Sequence, residues 1–108
     1  LQLQLEKLKA AGAKDILIDP GLGFAKSIPQ NYDILNNLGY FKRFGYPLLV
    51  GVSRKSMIYK TLNIEPEEAL NGTSALHMAA LIHGANILRV HDVAAAQQVL
   101  TLFKALKH

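Results

Sequence analysis

The sequence predicts an α/β fold with parallel strands, on three observations. Short apolar runs, DILID at 15–19, PLLVGV at 47–52 and NILRV at 86–90, alternate with longer stretches of helical periodicity. The first of these runs, bounded by Lys14 and Pro20, suits a strand buried on both faces. Every polar cluster of interest falls just after a run, at the edge where α/β proteins bind ligands. The alternation allows a small open sheet covered by helices on both faces, or a segment of a (β/α)8 barrel. A complete barrel needs roughly 200 residues or more, so the 108 residues here cannot close one.

Residues 1–12 read as the end of a preceding helix: Leu1, Leu5 and Leu8 follow helical spacing, Gly12 supplies the stop, and no N-cap precedes Leu1. That opening favours the barrel segment. After the first strand and a glycine-rich loop, Ser27 and Gln30 have the spacing of a capping box. Ile34, Leu35, Leu38, Phe41 and Phe44 then mark one face of a helix ending near Gly45. Pro47 opens the second strand, which runs into the loop SRKS and a helical stretch. Pro66 suits the first turn of a short helix, and Asn71-Gly72 is expected to break the chain before Thr73. Ala75, Leu76, Ala79, Ala80 and Ile82 or His83 form the next expected stripe, stopped by Gly84. After the third strand, Asp92 is placed to cap a last helix whose expected buried stripe is Val93, Ala96, Val99, Leu100, Phe103 and Leu106.

With hydrophobic residues at 50% and charged residues at 19%, the chain has the apolar content for one packed core. Its longest apolar runs are far below the ~20 residues of a membrane span, and with no signal-peptide pattern it reads as cytoplasmic. The absence of cysteine excludes disulfides and thiolate metal cages. A net charge of +4 is scattered along the chain, which fits small anionic ligands better than nucleic acid.

Asp19 ends a buried strand, where a carboxylate needs several donors. It can cap its own loop, or accept an amidine-like N–H pair from a heterocycle. Gly21 and Gly23 permit close approach of a ligand to backbone, but the spacing matches neither a P-loop nor a dinucleotide fingerprint. Ser53, Arg54, Lys55 and Ser56 put two cations at a helix start, against the macrodipole by ~0.3 to 1 kcal/mol, which points to an anionic or acceptor-rich ligand. Arg89 and His91 alternate along the third strand and share a face; without an anion they would pair with Asp92 or Asp19. His77 and His83 share no helix face for a metal, and no complete metal site is expected.

The strings DPGLGFAKS, LLVGVSRKS and RVHDV, in this order, resemble the last three βα units of the dihydropteroate synthase family over essentially all 108 residues. Ala25 departs from the glycine common before the lysine. The resemblance implies the C-terminal part of a pterin-binding TIM barrel over 1–108, with three parallel strands alternating with helices and no second domain. It implies a transferase of folate biosynthesis that condenses 6-hydroxymethyl-7,8-dihydropterin diphosphate with 4-aminobenzoate, giving 7,8-dihydropteroate and diphosphate. By this resemblance Lys55, Arg89 and His91 are the catalytic candidates, and Asp19, Phe24, Gly51, Lys55 and Arg89 bind pterin. Ser53 and Lys55 border the aminobenzoate site, where sulfonamides compete, and Arg89 and His91 hold the diphosphate. Mg2+ is implied, its protein ligand lying outside this chain. The family's first five strands are expected to be absent, so the chain alone should lack turnover, and an unpaired strand edge with exposed apolar surface should favour self-association; family members dimerise through their last helices. A pterin-binding methyltransferase of similar fold and a non-catalytic dimerising piece are the alternatives.

Overall fold

A parallel ladder runs through the middle of the chain. In the computed structural model, which describes residues 18–22, 27–53 and 55–106, β1 (Leu49–Val50) pairs with β2 (Ile87–Leu88), Leu49 opposite Ile87 and Val50 opposite Leu88. Ile18 adds one parallel bridge to Leu48. Its N–H donates to the Pro47 carbonyl at 2.9 Å and its carbonyl accepts from the Leu49 N–H at 2.8 Å. The spatial order Ile18, β1, β2 therefore follows the chain. The expected three strands appear as a two-stranded sheet plus this bridge, because Pro20 has no N–H with which to lengthen the ladder. Residues 15–17 of the expected first strand, and the helix end expected over 1–12, lie outside the described residues.

Helices cover the ladder. Helix α1 (Ile28–Asn36) starts at the predicted capping box: the Gln30 N–H donates to Ser27 Oγ at 3.3 Å and the Ser27 N–H to Gln30 Oε1 at 2.9 Å. The helix does not run on to Gly45 as expected. At Asn37, whose side-chain amide and backbone N–H both donate to the Asp33 carbonyl, the chain tightens into a 3-10 helix (Leu38–Phe44). Leu38, Phe41 and Phe44 are three apart, and at three residues per turn they stack on one side against the core. Gly45, at φ +76°, closes the turn in the left-handed region.

Helix α2 (Ser56–Leu62), a 3-10 turn (Pro66–Glu68) opened by Pro66, and α3 (Leu70–Ile82) follow β1, and α4 (Val93–Leu106) follows β2. The expected break at Asn71-Gly72 does not occur, since both residues lie in the first turn of α3. Gly72 serves packing instead. A Cβ there would meet Ile58 Cγ2 at 2.6 Å and Leu62 Cδ1 at 3.1 Å, so the missing side chain is what lets α3 approach α2. Gly72→Ala gains up to ~1 kcal/mol of helix propensity, whereas overpacking against buried Ile58 costs ~1 to 3 kcal/mol. Net destabilisation is the expected outcome in urea unfolding; a midpoint equal to or above that of the parent would mean that Ile58 gives way.

One predicted stripe is out of phase, and another holds at its centre but not at its ends. In α3 the buried residues are Thr73, His77, Ala80 and Leu81, while Ala75, Ile82 and His83 are exposed. This helix is apolar nearly all round, so periodicity alone does not choose its inner face. In α4, Ala96 and Val99 are buried and Leu100 and Phe103 half-buried, but Val93 and Leu106 are 69% and 68% exposed. Both lie on the margins of the stripe and in terminal turns, where a helix has fewer neighbours. The core centres on Ile18, Leu22, Leu38, Leu48, Val50, Val52, Met57 and Ile58.

His77 is buried within this packing, and its Nε2 has no hydrogen-bond partner among the described residues. Burial pushes its pKa below the ordinary 6.5, and the Asp92 carboxylate opposes that shift. The unfolded chain therefore takes up a proton near the ordinary value while the folded chain resists it. Stability is full above that pH and falls as the pH drops, by at most ~1.4 kcal/mol per pH unit. Denaturant midpoints of the parent should fall between pH 7.5 and 5.5 more steeply than those of His77→Leu. Equal slopes would exclude His77 as the source.

Candidate functional site

The ladder places three chain segments at one rim. Asp19 follows the Ile18 bridge, Ser53 and Lys55 follow β1, and Arg89 and His91 follow β2. Asp19 is held from two sides. Its Oδ1 accepts the Gly21 N–H at 2.8 Å in a local turn that Gly21 permits at φ +76°. Its Oδ2 faces the Arg89 guanidinium at 3.2 Å, across 70 residues of sequence. Of the two partners anticipated for Arg89, Asp19 is the one its guanidinium meets.

Gly51 lies beneath that pair, as a Cβ there would be 3.4 Å from Arg89 Cβ and 3.7 Å from its Cδ. The arginine stem thus packs across bare backbone at the end of the sheet. Lys55 approaches from the other side, and its ammonium donates to the carbonyl of buried Leu22. Burial pushes the Lys55 pKa down, the Asp19 carboxylate pulls it back up, and Arg89 lowers it further. These causes put all three side chains within electrostatic reach. A second contact joins the neighbouring loops, where the His91 N–H donates to Ser53 Oγ at 3.3 Å.

The structure therefore brings Asp19, Lys55 and Arg89 together, with Ser53 and His91 alongside and Gly51 below. Phe24 and Arg54 lie outside the described residues. The sequence reading missed the Leu22 carbonyl as the acceptor for Lys55, and no side-chain signal marks a backbone acceptor. It missed Tyr32 as well, whose hydroxyl donates to the Met57 carbonyl at 2.6 Å and so ties α1 to the helix that begins after Lys55.

One carboxylate beside two cations suits a ligand with N–H donors at one end and negative charge at the other. The rim stands at the ends of parallel strands, in βα units. Residues 1–91 match the family described as pterin binding enzyme. The chain belongs to that family.

Its relatives agree with one another. The dihydropteroate synthase of Escherichia coli K12 is 44% identical over 104 residues, covering 94% of this chain and 37% of that protein. A crystal structure of the Yersinia pestis dihydropteroate synthase superimposes with a TM-score of 0.94 at 39% identity, over 98% of this chain and 51% of that one. The Yersinia pestis enzyme with a sulfonamide drug gives the same TM-score and identity over 98% of this chain and 39% of that one. The chain thus spans little more than a third of the E. coli relative's length.

Proposed function

We propose that this chain is the C-terminal part of a dihydropteroate synthase, contributing three βα units to a (β/α)8 barrel, and that the whole protein joins 6-hydroxymethyl-7,8-dihydropterin diphosphate to 4-aminobenzoate. The observation that carries the reading is the convergence of Asp19, Lys55 and Arg89 at one rim. The 44% identity to the E. coli synthase and the likeness to synthase structures support it.

In this reading the Asp19–Arg89 pair marks where the pterin docks. A guanidinium and a 2-aminopterin ring both present a planar N–H pair that a carboxylate accepts side by side. The pterin takes the place of Arg89 on Asp19, and the freed guanidinium, with His91, meets the diphosphate. The bond from the pterin methylene carbon to the diphosphate oxygen breaks, and diphosphate leaves with the electron pair. The aminobenzoate nitrogen bonds to that carbon and loses a proton. Stabilising charge on the leaving group is the main task of the rim cations, and Lys55, held on the Leu22 carbonyl, also contacts the pterin ring. Ser53 and Lys55 border the aminobenzoate, the position at which a sulfonamide competes; Phe24 and Gly51 line the pterin pocket.

Among the described residues no three His, Asp or Glu side chains gather to hold a cation, and Asp19 is already engaged by Arg89. These residues do not fit a Mg2+ cage, and no step here runs through the ion. In this reading the remaining pterin contacts come from barrel strands outside these 108 residues, and the 108 residues alone are expected to lack turnover. In this reading the reaction belongs to the cytoplasm. Exposed Val93, Leu102 and Leu106 on α4 support self-association.

The test is release of diphosphate by the intact protein on mixing the pterin diphosphate with 4-aminobenzoate, with dihydropteroate formed in equal amount. Transfer of a methyl group from a methylated pterin, with no diphosphate release, would replace this reading with the methyltransferase.

A further inference from the structure

We propose that the opposite, N-terminal end of the ladder carries a second ligand site, for a small amphipathic anion such as a medium-chain carboxylate. A cavity of about 630 Å³ opens there, within the size range of small-molecule pockets. It is walled by Asn86 just before β2, by Lys42 of the 3-10 helix and by Leu100, Phe103 and Lys104 of α4.

Lys42 is exposed, but both its stem and its ammonium have contacts. Gly84, at φ +116°, supplies a bed for its stem: a Cβ there would lie 3.3 Å from Lys42 Cε and 3.6 Å from its Cδ and Cγ. Its ammonium donates to Asn86 Oδ1 at 2.9 Å, an oxygen that also accepts the Leu48 N–H at 3.0 Å. Asn86 orients the ammonium without cancelling its charge. Lys104 brings a second ammonium to the same cavity, and neither pairs with a carboxylate among the described residues.

Two uncompensated cations beside an apolar wall select a ligand carrying both features. An inorganic anion would leave the Leu100 and Phe103 surface wet, and an uncharged apolar molecule would bring the two ammonium groups no counter-charge. A carboxylate between Lys42 and Lys104, with its chain along Leu100 and Phe103, satisfies both. This site uses no residue of the rim, so it stands or falls apart from the synthase reading.

Titration of the 15N-labelled protein with octanoate tests it, with octanol and acetate as matched probes. Octanoate should shift the Gly84 and Phe103 amides, and both controls should bind at least tenfold more weakly. Lys104→Met, which leaves the Lys42–Asn86 hydrogen bond intact, and Lys42→Met should each weaken octanoate about tenfold without changing octanol. Octanol binding as tightly as octanoate, octanoate shifts confined to the Asp19 and Arg89 rim, or unchanged octanoate affinity in both variants would overturn the proposal.

Discussion

Asp19→Asn in the intact protein is expected to weaken binding of the pterin diphosphate by ~2 to 5 kcal/mol, because a charged acceptor is lost and the donors facing it are left poorly paired. The substitution is informative because it spares the local structure. The Asn side-chain oxygen still accepts the Gly21 N–H that Asp19 Oδ1 takes at 2.8 Å. The Asp19–Arg89 pair it disrupts is open to solvent, with side chains 35% and 53% exposed. Such pairs contribute ~0 to 1 kcal/mol to stability. A large loss of pterin affinity with an unchanged unfolding midpoint is therefore the signature of a binding residue, and calorimetry with a denaturation curve reads both. Aminobenzoate contacts should change less. Unchanged pterin affinity would remove Asp19 from the role assigned to it.

Leu48→Ala should cost ~2 to 5 kcal/mol of folding stability, as expected for a fully buried leucine whose cavity the surroundings cannot fill. Leu48 is 0% exposed, bridges to Ile18, and its carbonyl accepts N–H groups from both Asn86 and Ile87. Backbone bonds fix its position on both sides, so little collapse into the void is available. Chemical denaturation measures the loss. A cost below that of an exposed substitution such as Leu62→Ala would show that the ladder is not the centre of the core.

The rim was readable from the sequence because it follows from topology. Once three apolar runs are taken as parallel strands, Asp19, Ser53, Lys55, Arg89 and His91 must sit at their C-terminal ends. The capping box at Ser27 was readable for a similar reason, since its geometry involves neighbours in the chain. The helix phases were harder. Every face of α3 is apolar enough to be buried, and the choice of the Thr73–His77–Ala80 face depends on what α2 and α4 present to it. Gly72 was misread because a glycine after asparagine carries the same local signal whether it ends a helix or admits a neighbour; Ile58, which decides the matter, is 14 positions away. The threefold spacing of Leu38, Phe41 and Phe44 did carry the 3-10 geometry, although Ile34 and Leu35 before them favoured extending the α-helical pattern.

Asn86 gives the rim a zero mark. Its side-chain oxygen takes the Leu48 N–H at 3.0 Å and its backbone N–H reaches the Leu48 carbonyl at 2.9 Å, so one residue grips another from both sides at the foot of the paired strands. Three positions further up the same strand stands Arg89, and three positions above Leu48 lies Gly51. Sliding β2 by one residue would carry the guanidinium ~3.3 Å along the strand and turn it to the opposite face. Such a slip is as long as the 3.2 Å gap that separates Arg89 from Asp19. The spacing of charges at the ligand end of this protein is thus gauged from its far end, by an uncharged amide that no ligand at the rim ever touches.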